Sequence, residues 1–203
     1  MRAILVVFAI ALGFVAVAVL SGSDRELEAV GAPSAAAEPA DCGSVGFDRY
    51  DVGAELGGVQ KAETVRMCEP DTGAPTRINK SVTFYGSCNP ASNGGACAPP
   101  LQVASWPACE RNLALYDKYP APDGSTDSYT RTTIRGVPAA IFDGGQQIEV
   151  YTAATTVVIF SEKHGLAKAA ASRLTGVHDG RLVPNTEDLP APVPGALAGE
   201  LKC

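Results

Sequence analysis

The chain has 203 residues, of which 46% are apolar and 19% charged, and a net charge of −6. Less a leader and a tail, that length fits one compact domain with enough apolar material for a core. The negative balance and the lack of any Lys/Arg run exclude a nucleic-acid binder, which needs a clustered basic surface against phosphates.

Ala3 to Leu20 is an unbroken run of 18 apolar or glycine residues preceded only by Met1 and Arg2. As a helix it would be about 27 Å long, close to the thickness of a bilayer's hydrocarbon core. Arg2 and the terminal amine hold the N-terminus in the cytoplasm, so the rest of the chain is exported. Residues 1–22 therefore read either as a signal peptide, cut after a small-residue site such as Ala16-Val17-Ala18, or as an uncleaved transmembrane anchor. Residues 23–41 are rich in Ala, Pro, Ser and acidic groups, lack an apolar period and read as a flexible spacer. Cys42 lies too far from the apolar run to be a lipid-modified cysteine.

Export sets the meaning of the cysteines. There are six, Cys42, Cys68, Cys88, Cys97, Cys109 and Cys203. In an oxidising compartment an even number implies a disulfide framework with about 15 connectivities. Cys88 and Cys97 enclose Asn89-Pro90 and Asn93-Gly94-Gly95, turn formers that favour a local bridge. Cys42–Cys68 and Cys109–Cys203 follow by elimination of longer crossings.

Glycine (21) and proline (15) are frequent and favour turns and short strands. Thr64–Met67, Ser81–Tyr85 and Leu101–Ser105 are strand candidates, and Glu110–Lys118 a short helix. Residues 120–128 form a loop. The strongest pattern starts at Tyr129. Thr130–Arg135 alternates, Gly136-Val137-Pro138 interrupts, and Ala139–Phe142 is apolar before the hairpin signal Asp143-Gly144-Gly145. Ile148 and Val150 alternate with Glu149 and Tyr151, and TTVVIF, residues 155–160, reads as a buried strand. The period then changes. Leu166, Ala170 and Leu174 define the inner face of a helix, with Lys163, Lys168 and Arg173 outside, Ser161 as N-cap and Gly176 as C-terminal stop. Residues 42–182 form the domain, and 183–203 a proline-rich strap. The fold class is α+β: a small, mostly antiparallel sheet (β-meander) with one or two packing helices, disulfide-stapled, after an N-terminal hydrophobic helix.

No motif marks a catalytic centre or calls for a cofactor. Cysteines spaced C-x₈-C-x₁₁-C, with only His164 and His178 elsewhere, do not match a structural zinc site, and no C-x-x-C is present. Asp71-Thr72-Gly73 carries the tripeptide of aspartic proteases, but no second copy exists, and after Pro70 it reads as a turn. G-x-S-x-G and H-E-x-x-H are absent. His164 opens the predicted helix and His178 lies in a loop after it. Asn79-Lys80-Ser81 is a formal glycosylation sequon. Trp106, among prolines, is either a recognition anchor or a core residue packed beside a disulfide.

The segments TFYGSC (83–88), GGACAPPLQVASWPACERN (94–112), IRGVPAAIFDGGQQIEVYTAATTVVIF (134–160) and LPAPVPGALAGELKC (189–203) resemble uncharacterised exported or single-pass membrane proteins common in actinobacteria. The resemblance covers most of residues 80–203. It implies an envelope location and a small α+β domain, and carries no established activity. The functional expectation is a cell-envelope protein, membrane-held or secreted. It would act as a non-enzymatic binding or structural module whose partner is an envelope protein or wall component. The alternative is an extracytoplasmic hydrolase using scattered acidic residues such as Asp123, Asp127 and Asp143.

Overall fold

In chain order the strands are β1 (Tyr50–Asp51), β2 (Glu55–Leu56), β3 (Val59–Pro70), β4 (Arg77–Tyr85), β5 (Leu101–Pro107), β6 (Thr130–Ile134), β7 (Val137–Phe142), β8 (Gln147–Thr152), β9 (Thr155–Phe160), β10 (Thr175–His178) and β11 (Arg181–Val183). Among the described residues two α-helices accompany them, α1 (Ala114–Lys118) and α2 (His164–Ser172). The computed structural model describes residues 46–70, 77–88, 98–118, 129–178 and 180–203. The N-terminal apolar run and the spacer lie outside this set. Among the described residues no helix is long and apolar enough to cross a membrane.

Eight strands form one antiparallel sheet in the order β2-β3-β4-β5-β9-β8-β7-β6, and β1-β10-β11 form a smaller one. The meander from β6 to β9 lies where the sequence places it, and two of its three reversals carry glycine, Gly136 in the first and Gly144-Gly145 in the second, while Ala153-Ala154 joins β8 to β9. Arg135 and Gly136, which join β6 to β7, both have positive φ, 48° and 77°, as a two-residue hairpin requires. Strands β3 and β4 extend well beyond the short segments that alternation predicts. β5 is buried on both faces along most of its length, which explains why no alternation marks it strongly.

One sheet face carries the main core. Leu101, Val103, Val157, Ile159, Ile148 and Val150 pack there with Ala167, Ala170 and Ala171 of α2 and with Leu174 just beyond it. Each large aliphatic side chain buried contributes about 1.5–3 kcal/mol. The predicted stripe on α2 is rotated slightly: Ala167 and Ala171 join Ala170 and Leu174 at 0% exposure, while Leu166 is only half-buried. Small alanines let the helix lie close to the sheet.

Two predicted signals around α2 have other roles. Ser161 is not the N-cap. The helix starts at His164 with Lys163 at the cap. The buried Ser161 hydroxyl instead donates to the Pro100 carbonyl at 2.7 Å and accepts from Lys163 N–H at 3.0 Å. Gly176 does not stop the helix, whose C-cap is Arg173. It lies in β10 opposite Tyr50 and Val183. A Cβ there would come within 2.4 Å of the Tyr50 ring. The segment expected as a loop around His178 is the tip of the β10–β11 hairpin, and the helix predicted over Glu110–Lys118 is reduced to the single turn of α1.

Residues 184–203 form no strand, since prolines at 184, 190, 192 and 194 remove donors from any ladder. Their carbonyls still accept. Pro190 O receives Thr152 Oγ1 at 2.7 Å and Ala153 N at 3.2 Å, and Ala153 O receives Val193 N at 2.9 Å. Arg135 grips the same segment, donating from Nε to Glu187 O at 2.8 Å and from its terminal nitrogens to the Leu174, Pro184 and Glu187 carbonyls. The chain end is bonded through Cys109–Cys203, with Cα atoms 5.5 Å apart.

Gly176→Ala should destabilise the fold by about 1–3 kcal/mol through overpacking against Tyr50. Urea unfolding of the variant measures this, and an unchanged midpoint would show that β1 is not held by that contact.

Candidate functional site

The second face of the sheet holds a buried charge. Alternation in β8 turns Glu149 away from the main core, yet it is 0% exposed because that face is covered too. Its ladder neighbours are Ala140 and Val158. A lone buried carboxylate costs on the order of several kcal/mol, so it requires donors. Oε1 accepts from Arg111 Nε at 2.8 Å, Arg111 Nη2, the Tyr116 hydroxyl at 2.5 Å and Gln147 Nε2 at 2.9 Å. Oε2 accepts from the Tyr151 hydroxyl at 3.1 Å. Burial works against the Arg111 charge, but Glu149 outweighs it and raises the guanidinium above its ordinary value. Burial first, and then the Glu149 carboxylate, push the Tyr116 and Tyr151 phenols well above theirs. With both oxygens engaged, this cluster acts as a structural tie between β8 and the turn after β5. No sequence spacing links Arg111 to a residue 38 positions away, so only the fold reveals the pair.

Trp106 lies on this face, half-buried among Val65, Met67, Val82, Phe84, Ala104 and Val158. Lys80 Nζ sits 4.7 Å and Arg111 Cζ 5.4 Å from its ring centroid. Its surroundings are those of a packed residue with cation–π neighbours. Asn79 of the sequon is 1% exposed within β4, which leaves no room for a glycan.

Asp143 stands exposed on the β7–β8 turn with φ 50°, while Asp71, Asp123 and Asp127 lie outside the described residues. So do Cys42, Cys97 and the side chains of Cys68 and His164. Cys88 is disulfide-bonded. Among the described residues no group of three or more His, Cys, Asp or Glu could hold a metal.

The open features cluster where the chain enters the domain. Three alternate backbone N–H groups of the entering segment dock on hydroxyls of the main-core face. Asp48 N donates to Thr155 Oγ1 at 3.0 Å, Tyr50 N to Ser105 Oγ at 2.9 Å, and Val52 N to the Tyr85 hydroxyl at 3.0 Å. These hydroxyls stand in for a neighbouring strand. A groove of about 460 Å³ lies along this segment, lined by Gly46, Phe47, Arg49, Thr64, Arg66 and Ser81. Arg66 Nε donates to Asn79 Oδ1 at 2.8 Å, and the Thr64 and Thr83 hydroxyls lie 2.9 Å apart. A cavity of about 540 Å³ shares Gly46 and Phe47 and adds Asp48, Ala154, His178 and Val193. In it His178 Nδ1 lies 2.5 Å from Asp48 Oδ2. The sequence alone leaves His178 in a loop; the pairing of β1 with β10 is what brings Asp48 to it.

No family model, curated protein or solved structure matches the chain.

Two outcomes follow for the buried groups. Arg111→Met should cost about 3 kcal/mol by stranding the Glu149 carboxylate. Adding Glu149→Gln should recover part of that loss in chemical denaturation; no recovery would mean that packing, not charge, sustains the site. Burial also raises the Tyr85 phenol from 10.0 to about 12. A neutral phenol is thus favoured in the folded state, while unfolded tyrosines ionise near pH 10. The stability from this group is complete below pH 10 and falls as pH rises towards 12. Thermal melts over that window, with phenolate absorbance as the readout, should show the fall. Full phenolate absorbance at pH 10 in a still-folded protein would contradict it.

Proposed function

We propose that the chain is an exported cell-envelope protein, membrane-held or secreted, whose domain serves as a non-enzymatic binding module and takes its ligand in the groove along residues 46–49. The observation that carries this reading is the open groove of about 460 Å³, a volume within the roughly 300–1,000 Å³ typical of small-ligand sites. Export rests on the apolar run Ala3–Leu20 behind Arg2, followed by a polar spacer. The resemblance of residues 80–203 to actinobacterial exported proteins supports the same location. The partner is then a soluble envelope component or a fragment of the wall.

A hydrolase is the second reading, favoured by the Asp48–His178 pair at 2.5 Å beside the larger cavity. A carboxylate–imidazole pair is the base half of many hydrolytic centres. No Ser, Thr or Cys stands among the described residues lining that cavity, so the pair would have to activate water directly.

A thermal-shift screen of the full-length protein against envelope metabolites and wall fragments separates the two. On the binding reading, a ligand at a hundredfold excess over its Kd stabilises by about 2.7 kcal/mol, His178→Ala retains that shift, and no ligand is turned over. Hydrolysis of any bound compound that disappears in His178→Ala would overturn the reading in favour of the enzyme. Cell fractionation placing the chain in the cytosol would remove the export half.

A further inference from the structure

Resting on the groove reading above, we infer that the ligand of this groove carries a carboxylate or phosphate group, held by Arg49 and Arg66, next to an apolar body laid against Phe47. The chain is acidic overall, with a net charge of −6. Yet the described groove lining contains two arginines, two hydroxyls and no acidic residue. Arg49 is exposed and makes no hydrogen bond or ion pair to any described residue.

Arg66 is the better positioned of the two. It stands on the main-core face of β3, opposite Ser81 in the ladder. A solvent arginine samples many rotamers, and ordering it for a ligand costs conformational entropy. Here Nε–H is already committed to Asn79 Oδ1 at 2.8 Å, which fixes the plane of the guanidinium. Asn79 itself is 1% exposed, and its Nδ2 has no partner, an arrangement whose only hydrogen-bonding return is the hold on Arg66. A planar fork fixed in this way suits the two oxygens of a carboxylate or phosphate. Ser81 and Thr64 supply hydroxyls on the same wall, and half-buried Phe47 the apolar surface. Arg66 and Arg49 are binding residues in this arrangement, and Asn79 a positioning residue.

The test uses the full-length protein and four probes: benzoate, phenyl phosphate, and the neutral benzamide and benzyl alcohol. Binding is followed by NMR titration of the groove resonances. Benzoate or phenyl phosphate should bind about tenfold more tightly than the neutral probes, and whichever anion is tighter identifies the head group. Arg66→Gln and Arg49→Gln should each remove most of that preference, while Arg173→Gln, on the far end of α2, leaves it intact. Arg66→Lys keeps the charge without the fork and should retain only part of the anion preference, in protein whose melting temperature is unchanged. Equal binding of charged and neutral probes in the groove, or an anion preference that survives both glutamine variants, overturns the anionic assignment but leaves the groove as a binding site. Absence of any groove perturbation by all four probes overturns the groove reading together with this one.

Discussion

A fully buried carboxylate on an interior strand of the sheet dictates much of what surrounds it. Glu149 projects from the face opposite the main core, and covering that face makes Arg111 obligatory. Arg111 in turn fixes the turn after β5. Its carbonyl accepts from Thr156 Oγ1 at 2.5 Å, its Nη2 donates to Tyr116 at 2.7 Å, and its guanidinium lies over the Trp106 ring. Tyr116 then joins Phe142 and Tyr129 in an aromatic group with ring centroids 4.6 to 5.8 Å apart. A two-faced sheet needs apolar material on both sides. Here an ion pair replaces part of it at one position, at the cost of demanding full hydrogen-bond satisfaction.

The second organising device is the use of side chains and carbonyls where strands are missing. The entering segment lies across the sheet face on three hydroxyls, and the C-terminal strap is held by proline carbonyls and by Arg135. Both segments meet the β8–β9 hairpin. Asp48 exchanges hydrogen bonds with Thr155, and Pro190 and Val193 bond Ala153, whose φ is 45°. A non-glycine residue with positive φ is strained, and the strap holds it there. The Cys109–Cys203 bridge, with a sequence separation of 94, closes the loop of chain that contains the β8–β9 hairpin and the strap. The groove and its neighbouring cavity exist because an irregular segment lying on hydroxyls cannot fill the sheet face as a packed strand would.

How far this was legible in the sequence differs from element to element. The run from Thr130 to Phe160 combines local alternation in β6 and β8 with apolar stretches in β7 and β9, and glycines mark its first two turns, so strands β6 to β9 could be read directly. The inner face of α2 was readable to within one position. Strands β1, β10 and β11 were not. They are two to four residues long, too short for any period, and they exist because Tyr50 packs over Gly176. The Gly57-Gly58 pair between β2 and β3 is a hairpin signal that was available. Trp106 was visible as a singular residue, but its cationic neighbours Lys80 and Arg111 come from other strands and turns.

By itself, then, the sequence determined the class of the fold, the extent of its meander and the place of its packing helix, because these depend on the spacing of apolar groups along a local stretch of chain. The spacing that reveals a strand says nothing about which distant groups will face one another. Only the tertiary structure paired Arg111 with Glu149, set Asp48 beside His178, and gathered Arg49, Arg66 and Phe47 along one groove. Each of those meetings follows from strand order and from hydroxyls such as Ser105 and Thr155, whose partners lie 55 and 107 residues away. Such contacts arise from how the surfaces close, and no local pattern encodes them.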